Sequence, residues 1–241
     1  MTNKAVLYDR GSPTIVVVNK SDWVPNKDLS RVVAALQKQV DRDFFPLWGW
    51  RAKLTVATKE PENGAMCIIM LNQPGKRDEG AEGYHFSAEG LPKTYVFSRD
   101  EKGEPVENYA VTMSHEVLEM IADPGVNLYA DGYYITKKGR HMTAFIPYEV
   151  CDPVQENTYK IDGLTMSDFV VPEWFEYERA RNSMRFSFLD AVSEPFELAP
   201  GGYTDAMVGR DLRTQWGEEA NRKRRRHRHK ARLKKAARLR G

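Results

Sequence analysis

Residues 114–124 read Ser-His-Glu-Val-Leu-Glu-Met-Ile-Ala-Asp-Pro, placing an imidazole, His115, four residues before a carboxylate, Glu119. In an α-helix such a pair shares one face, about 6 Å apart along the axis at a rise of about 1.5 Å per residue. Both side chains can then reach one divalent cation. Glu116 stands beside them, where a carboxylate can take a proton from a water held by that cation. The helical register Val111, His115, Leu118, Glu119, Ala122 sets the pair beside apolar neighbours. A charged pair there is costly unless a metal or a cation partners it. The competing assignment is a solvated helix face, or a Glu119 paired with Lys or Arg.

Two ligands are too few for tight binding, so a third must come from elsewhere. Asp123 is eight residues past His115. That is about 12 Å along the axis, too far to share an ion unless the helix breaks early. The segment Glu149-Val150-Cys151-Asp152 offers better candidates. On a helical turn Glu149 and Asp152 face one side, so one could bind the ion while the other orients His115 through its second ring nitrogen. In an extended segment only one could serve. An exposed acidic turn before Pro153 is the alternative, and Cys151 lies between the two acidic residues.

The elements that must position these groups can be read from periodicity. Residues 14–18 are a β-branched run and form a buried strand. A helix follows over about 29–45, capped by Asp28 or Ser30, with Val32, Val33, Leu36, Val40 and Phe44 at helical spacing and Pro46 at its end. Residues 51–58 alternate as a strand, 67–71 fit a central strand, and 84–87 and 94–98 are further strands. A helix over about 107–122 carries His115 and ends at Pro124 and Gly125. Beyond it, short strands at 133–136 and 144–147 and a hairpin at 159–164 around Asp162-Gly163 are expected. Residues 195–203 read as a loop.

The motif is one residue away from the H-E-x-x-H of zinc peptidases. With a helix, a mixed sheet and a second helix bearing His115-Glu116-x-x-Glu119, the chain resembles the zincin-like metallopeptidases over about residues 14–152. The spacing of Glu149 and Asp152 is similar to the downstream Glu-x-x-Asp of gluzincins, where Glu is the third ligand and Asp supports the first His. The phrases Asp78-Glu79-Gly80-Ala81-Glu82-Gly83-Tyr84-His85 and Ser114 to Met120 also look like an uncharacterised zincin-like family of bacteria and their phages. The resemblance implies a metal on His115, Glu119 and Glu149 or Asp152, with Glu116 activating a metal-bound water. It implies Zn²⁺, with Mn²⁺ or Ca²⁺ as alternatives. Glu119 departs from the family's second His. A His with two carboxylates is a harder, more negative set, which makes the ion a weaker Lewis acid and shifts preference toward Mn²⁺, Mg²⁺ or Ca²⁺.

The expected fold is therefore α+β: a zincin-like mixed sheet with two main helices over residues 1–217, irregular beyond about 126. A disordered basic tail over 218–241 follows. Residues 222–241 hold 12 Lys and Arg and no Asp or Glu. The other 221 residues hold 24 Lys and Arg against 34 Asp and Glu, a net charge of −10 that the overall +2 conceals. Arg222, Lys223, Arg224, Arg225, Arg226, Arg228 and Lys230 head a run that binds nucleic acid or another polyanion by counterion release. The tail has no aromatics for base stacking. The acidic body itself, or an acidic membrane surface, is the other partner such a tail could take.

Two cysteines, Cys67 and Cys151, point to reduced core thiols. No apolar run reaches the roughly 20 residues of a membrane span, and Met-Thr-Asn-Lys leads into no signal-peptide core. A cytoplasmic or virion-associated protein is expected. Of the other candidates, His85 beside the cleft could be a ligand or an oxyanion donor but reads first as a hydrogen-bonded structural residue, His141 reads as exposed, and Tyr148, which could stabilise a tetrahedral intermediate, reads first as a packed aromatic. Phe169, Trp174, Phe175 and Tyr177 read as core or interface. Neither a Gly-rich phosphate loop nor a G-x-S-x-G nucleophile is present. The functional expectation is a metal-dependent hydrolase, a divergent peptidase. The alternative is an inactive zincin-fold protein, virion- or nucleoid-associated, that acts through its basic tail.

Overall fold

The computed structural model describes residues 12–61, 65–76, 78–88, 91–136, 138–176 and 185–217. Tyr177 and the whole basic tail, Arg222 to Lys230 included, lie outside the described residues. What is described is mixed α+β, with two main helices and several sheets.

The first sheet contains Thr14–Asn19 (β1), Lys53–Ala57 (β2), Met66–Leu71 (β3), Gly83–Ala88 (β4) and Leu91–Phe97 (β5), in the order β2-β1-β3-β5-β4. The apolar runs of β1 and β3 suit parallel strands covered on both faces. Strands β1, β2, β3 and β5 run parallel, while β4 closes one edge antiparallel, with His85 opposite Thr94. Side chains alternate between the faces. Ile15, Val17, Ile68, Met70 and Val96 share a core with both long helices, whereas Val18, Cys67 and Ile69 form a separate cluster. Both helices therefore cover the same face.

The first of them, Asn26–Lys38 (α1), buries Leu29, Val32, Val33 and Leu36. It starts earlier than expected. Pro25, in extended geometry, precedes it, and no side chain caps it. Ser30 Oγ instead donates to the Asn26 carbonyl at 2.8 Å. The helical path then passes through a π-helical segment, Gln39–Phe44, and a last turn, Phe45–Trp48 (α2). Pro46 sits in the first turn of α2, where its missing N–H is tolerated. The second long helix, Tyr109–Ala122 (α3), buries Met113, Val117, Leu118, Met120 and Ile121, each contributing about 1.5–3 kcal/mol. It stops at Asp123, before Pro124.

The C-terminal half corrects the expectation of irregular structure. Tyr129–Ile135 (β6), His141–Pro147 (β7), Tyr203–Val208 (β10) and Asp211–Trp216 (β11) form an antiparallel sheet in the order β11-β10-β7-β6. Thr158–Ile161 (β8) and Leu164–Ser167 (β9) form the expected hairpin, whose turn residues Asp162 and Gly163 take φ of 51° and 80°. The pairing of β10 with β11 was not expected. Polar and apolar residues mix along both strands, so neither carries a continuous apolar run. Phe169, Trp174 and Phe175 are buried, as expected of them, and Phe169 meets Phe44 edge-on at 5.1 Å.

Candidate metal centre

The rotation of α3 is set by a buried polar network one residue before His115. Ser114 Oγ donates to Gln39 Oε1 at 2.7 Å and accepts from the Ser167 N–H at 3.0 Å. Gln39 Nε2 donates to the Ser167 carbonyl and to Tyr159 Oη. The π-helical segment thus aims Gln39 between α3 and β9. Removing one partner strands the others, at about 1–3 kcal/mol per buried group. This ties three elements to the helix that carries the candidate ligands.

From that anchored helix, His115 and Glu119 project to one point. His115 Nε2 lies 3.0 Å from Glu119 Oε1 and 3.1 Å from Asp152 Oδ1. Donors about 2.0–2.1 Å from a tetrahedral ion stand about 3.4 Å from one another, close to each of these two distances from His115 Nε2. Glu119 is fully buried, Asp152 nearly so, and His115 is 12% exposed. Glu119 Oε1 also accepts the Cys151 N–H at 3.3 Å. His115, Glu119 and Cys151 bring donor atoms within 4.8 Å of one another, and so do His85, Glu119 and Glu149. Both groups could hold a metal ion.

The sequence reading left Glu149 and Asp152 as alternatives, with one of them supporting the second ring nitrogen of His115. The structure divides them differently. Asp152 opens a 3₁₀ turn, Asp152–Val154, and approaches the same nitrogen as Glu119. Glu149 falls with His85 on the other side of Glu119. Asp123 is turned away, its Oδ2 accepting the Leu128 N–H at 2.8 Å. Tyr148 stacks on Phe175 at 4.3 Å, and the exposed His141 stacks on Tyr133 at 4.5 Å.

Glu116 faces the edge strand. Its Oε2 lies 3.3 Å from His85 Nδ1, and both side chains are buried. This approach depends on Gly83. A Cβ there would sit 2.6 Å from Thr112 Cγ2 and 3.5 Å from Glu116 Cγ, so any larger residue would drive α3 off β4. Between Gly83, Tyr84, Thr112, His115, Glu116 and Asp152 lies a cavity of about 50 Å³, room for an ion and a water or two. His85 is the neighbour that sequence reasoning undervalued. Nothing local marks it, because its partners come from a helix some 30 residues on.

Burial works against a charged His115, but Glu119 and Asp152 outweigh it through charge and hydrogen bonding and raise its pKa to about 10. The ordinary value is about 6.5. The stability this contributes is fully present below pH 6.5 and is lost as pH rises through 10. A cation must displace that proton. Calorimetry of Zn²⁺ or Mn²⁺ uptake at pH 7–8, in buffers of different ionisation enthalpy, should show about one proton released per ion bound at His115, with affinity rising about tenfold per pH unit. Uptake without proton release would contradict this arrangement. Burial likewise pushes the Cys151 thiol well up, so Cys151 is a neutral thiol in the metal-free protein.

No protein-family model, no curated protein and no solved structure matches this chain.

Proposed function

We propose that this protein is a metal-dependent hydrolase of zincin-like type, acting on peptide or other amide bonds. The observation that carries the reading is the convergence of Glu119 and Asp152 on one nitrogen of His115, with Glu116 on the next residue facing the same cavity. His115, Glu119 and Asp152 would hold the ion, Zn²⁺ or, for so carboxylate-rich a set, Mn²⁺. When bound, the ion would acidify a water and polarise a carbonyl oxygen. Glu116 is the base that accepts the proton, and its Oε2 lies 3.3 Å from His85 Nδ1. In the metal-free protein Glu119 and Asp152 both approach His115 Nε2, the position the ion would take.

A second reading is supported by the tail. Twelve basic residues on a body of net charge −10 suit a protein that holds nucleic acid, in a virion or on a nucleoid. Among the described residues no helix is long and apolar enough to cross a membrane. The two readings separate in one assay of the full-length chain against a pool of quenched fluorescent peptides. Hydrolysis that a chelator abolishes and Zn²⁺ or Mn²⁺ restores supports the enzyme. A metal-loaded chain that cleaves nothing, yet binds duplex DNA with a steep salt dependence, supports the binding protein.

A further inference from the structure

We propose that the chain binds a second divalent cation, held by His85 and Glu149 and bridged to the His115 ion by the carboxylate of Glu119. The inference rests on the reading of the His115 site above and adds to it a separate set of donors. Glu119 divides its oxygens between two imidazoles. Oε1 lies 3.0 Å from His115 Nε2, while Oε2 lies 3.6 Å from His85 Nδ1. A carboxylate facing two imidazoles through different oxygens is arranged to bridge two ions, which in two-metal sites stand about 3.5–4 Å apart. The donor atoms of His85, Glu119 and Glu149 already lie within 4.8 Å of one another.

Charge supports the second ion. Glu116, Glu119, Glu149 and Asp152 bring four carboxylates to two imidazoles. One divalent ion leaves two negative charges on a site whose Glu116, Glu119 and Asp152 are buried, where an uncompensated charge is strongly disfavoured. A second ion offsets them. Hydrogen bonding agrees. His85 Nε2 is buried without a hydrogen-bond partner among the described residues. A metal-ligating His normally passes its other ring N–H to a carboxylate. Ligation at Nδ1 would fix the proton on Nε2. One imidazole with two carboxylates is a hard donor set, suited to Mn²⁺ or Zn²⁺.

The test is a count of ions. The full-length chain is stripped of metal and titrated with Mn²⁺. Bound ions are measured by elemental analysis after gel filtration, and their coupling by electron paramagnetic resonance. Wild type should hold about two ions per chain with the broadened spectrum of a coupled pair. His85→Ala and Glu149→Ala should each hold about one, with an isolated six-line spectrum, and Glu119→Ala, which removes the bridge, should retain neither tightly. His85→Gln serves if His85→Ala does not fold. A wild-type chain that binds a single ion, kept in full by His85→Ala, overturns the second site and leaves the His115 site standing. A wild-type chain that binds none overturns both.

Discussion

Glu116→Gln is expected to lower amide hydrolysis by about 10²–10⁴-fold, the usual contribution of a positioned general base, while metal content and fold stay as in wild type. The substitution keeps the shape of the side chain, its place over Gly83 and a polar atom toward His85 Nδ1. It removes only the ability to accept a proton. The loss should therefore fall on kcat, with KM little changed. Glu116 is not among the groups that meet His115 Nε2, so the ion count is the control that separates a lost base from a lost site. A variant that hydrolyses at the wild-type rate would remove Glu116 from the mechanism. A variant that also loses its metal would assign it to the ligand set instead.

Gly202→Ala should be the most damaging small substitution in the described fold. A Cβ at Gly202 would lie 1.8 Å from the Pro153 carbonyl oxygen and 2.4 Å from its carbon. Both atoms are backbone, and that backbone is held. The Ala199 N–H donates to the Pro153 carbonyl at 3.0 Å, and Gln155 Nε2 donates to the Gly201 carbonyl at 2.9 Å. These bonds clamp the turn that begins with Asp152 against the chain leading into β10. Overpacking of this kind costs about 3 kcal/mol or more when no side chain can move aside. At about 2–4 °C per kcal/mol for a chain of this size, the melting temperature should fall by roughly 6–12 °C. Because Asp152 moves with the turn, affinity for Zn²⁺ or Mn²⁺ should fall by about tenfold or more in the surviving folded fraction. Thermal denaturation and metal titration of the variant check both. A variant with wild-type melting and affinity would show that the turn is not held from this side.

How much of this could be read from the sequence depends on how local each cause is. β1 and β3 were legible because strands covered on both faces must be apolar throughout. The Asp162-Gly163 turn was legible because its two positive φ angles demand such residues. α3 was legible from its apolar spacing and from Pro124, and with it the His115–Glu119 pair, since helix geometry alone puts the fourth residue on the same face. α1 was legible in its core positions but not at its start, where Pro25 and no capping side chain stand. The π-helical segment was not legible, because Gln39 is fixed by Ser114 and Ser167, both distant in the chain. β10 and β11 escaped because Thr204, Asp205, Arg213, Thr214 and Gln215 break any apolar run, and the turn at Gly209 and Arg210 is not a strong hairpin signature.

The candidate ligands follow the same rule. The choice between Glu149 and Asp152 turned on whether their segment is helical. Residues 199–202 decide that by holding a 3₁₀ turn that begins only at Asp152. His85 reaches the site because β4 pairs antiparallel at the sheet edge and Gly83 lets α3 lie close. Neither fact is encoded near His85. Helical spacing supplied the pair, and tertiary packing supplied everything that completes it.

The most direct test of the account is the metal content of the full-length chain, purified without chelator and measured by elemental mass spectrometry beside His115→Ala and Asp152→Ala. A divalent transition metal is expected in the wild-type protein, lost by His115→Ala and held at least about tenfold more weakly by Asp152→Ala, with both variants folded by circular dichroism. A wild-type chain that takes up neither Zn²⁺ nor Mn²⁺, even in excess, would contradict it. His115, Glu119 and Asp152 would then be a buried ion-pair cluster, and the function would lie in the basic tail.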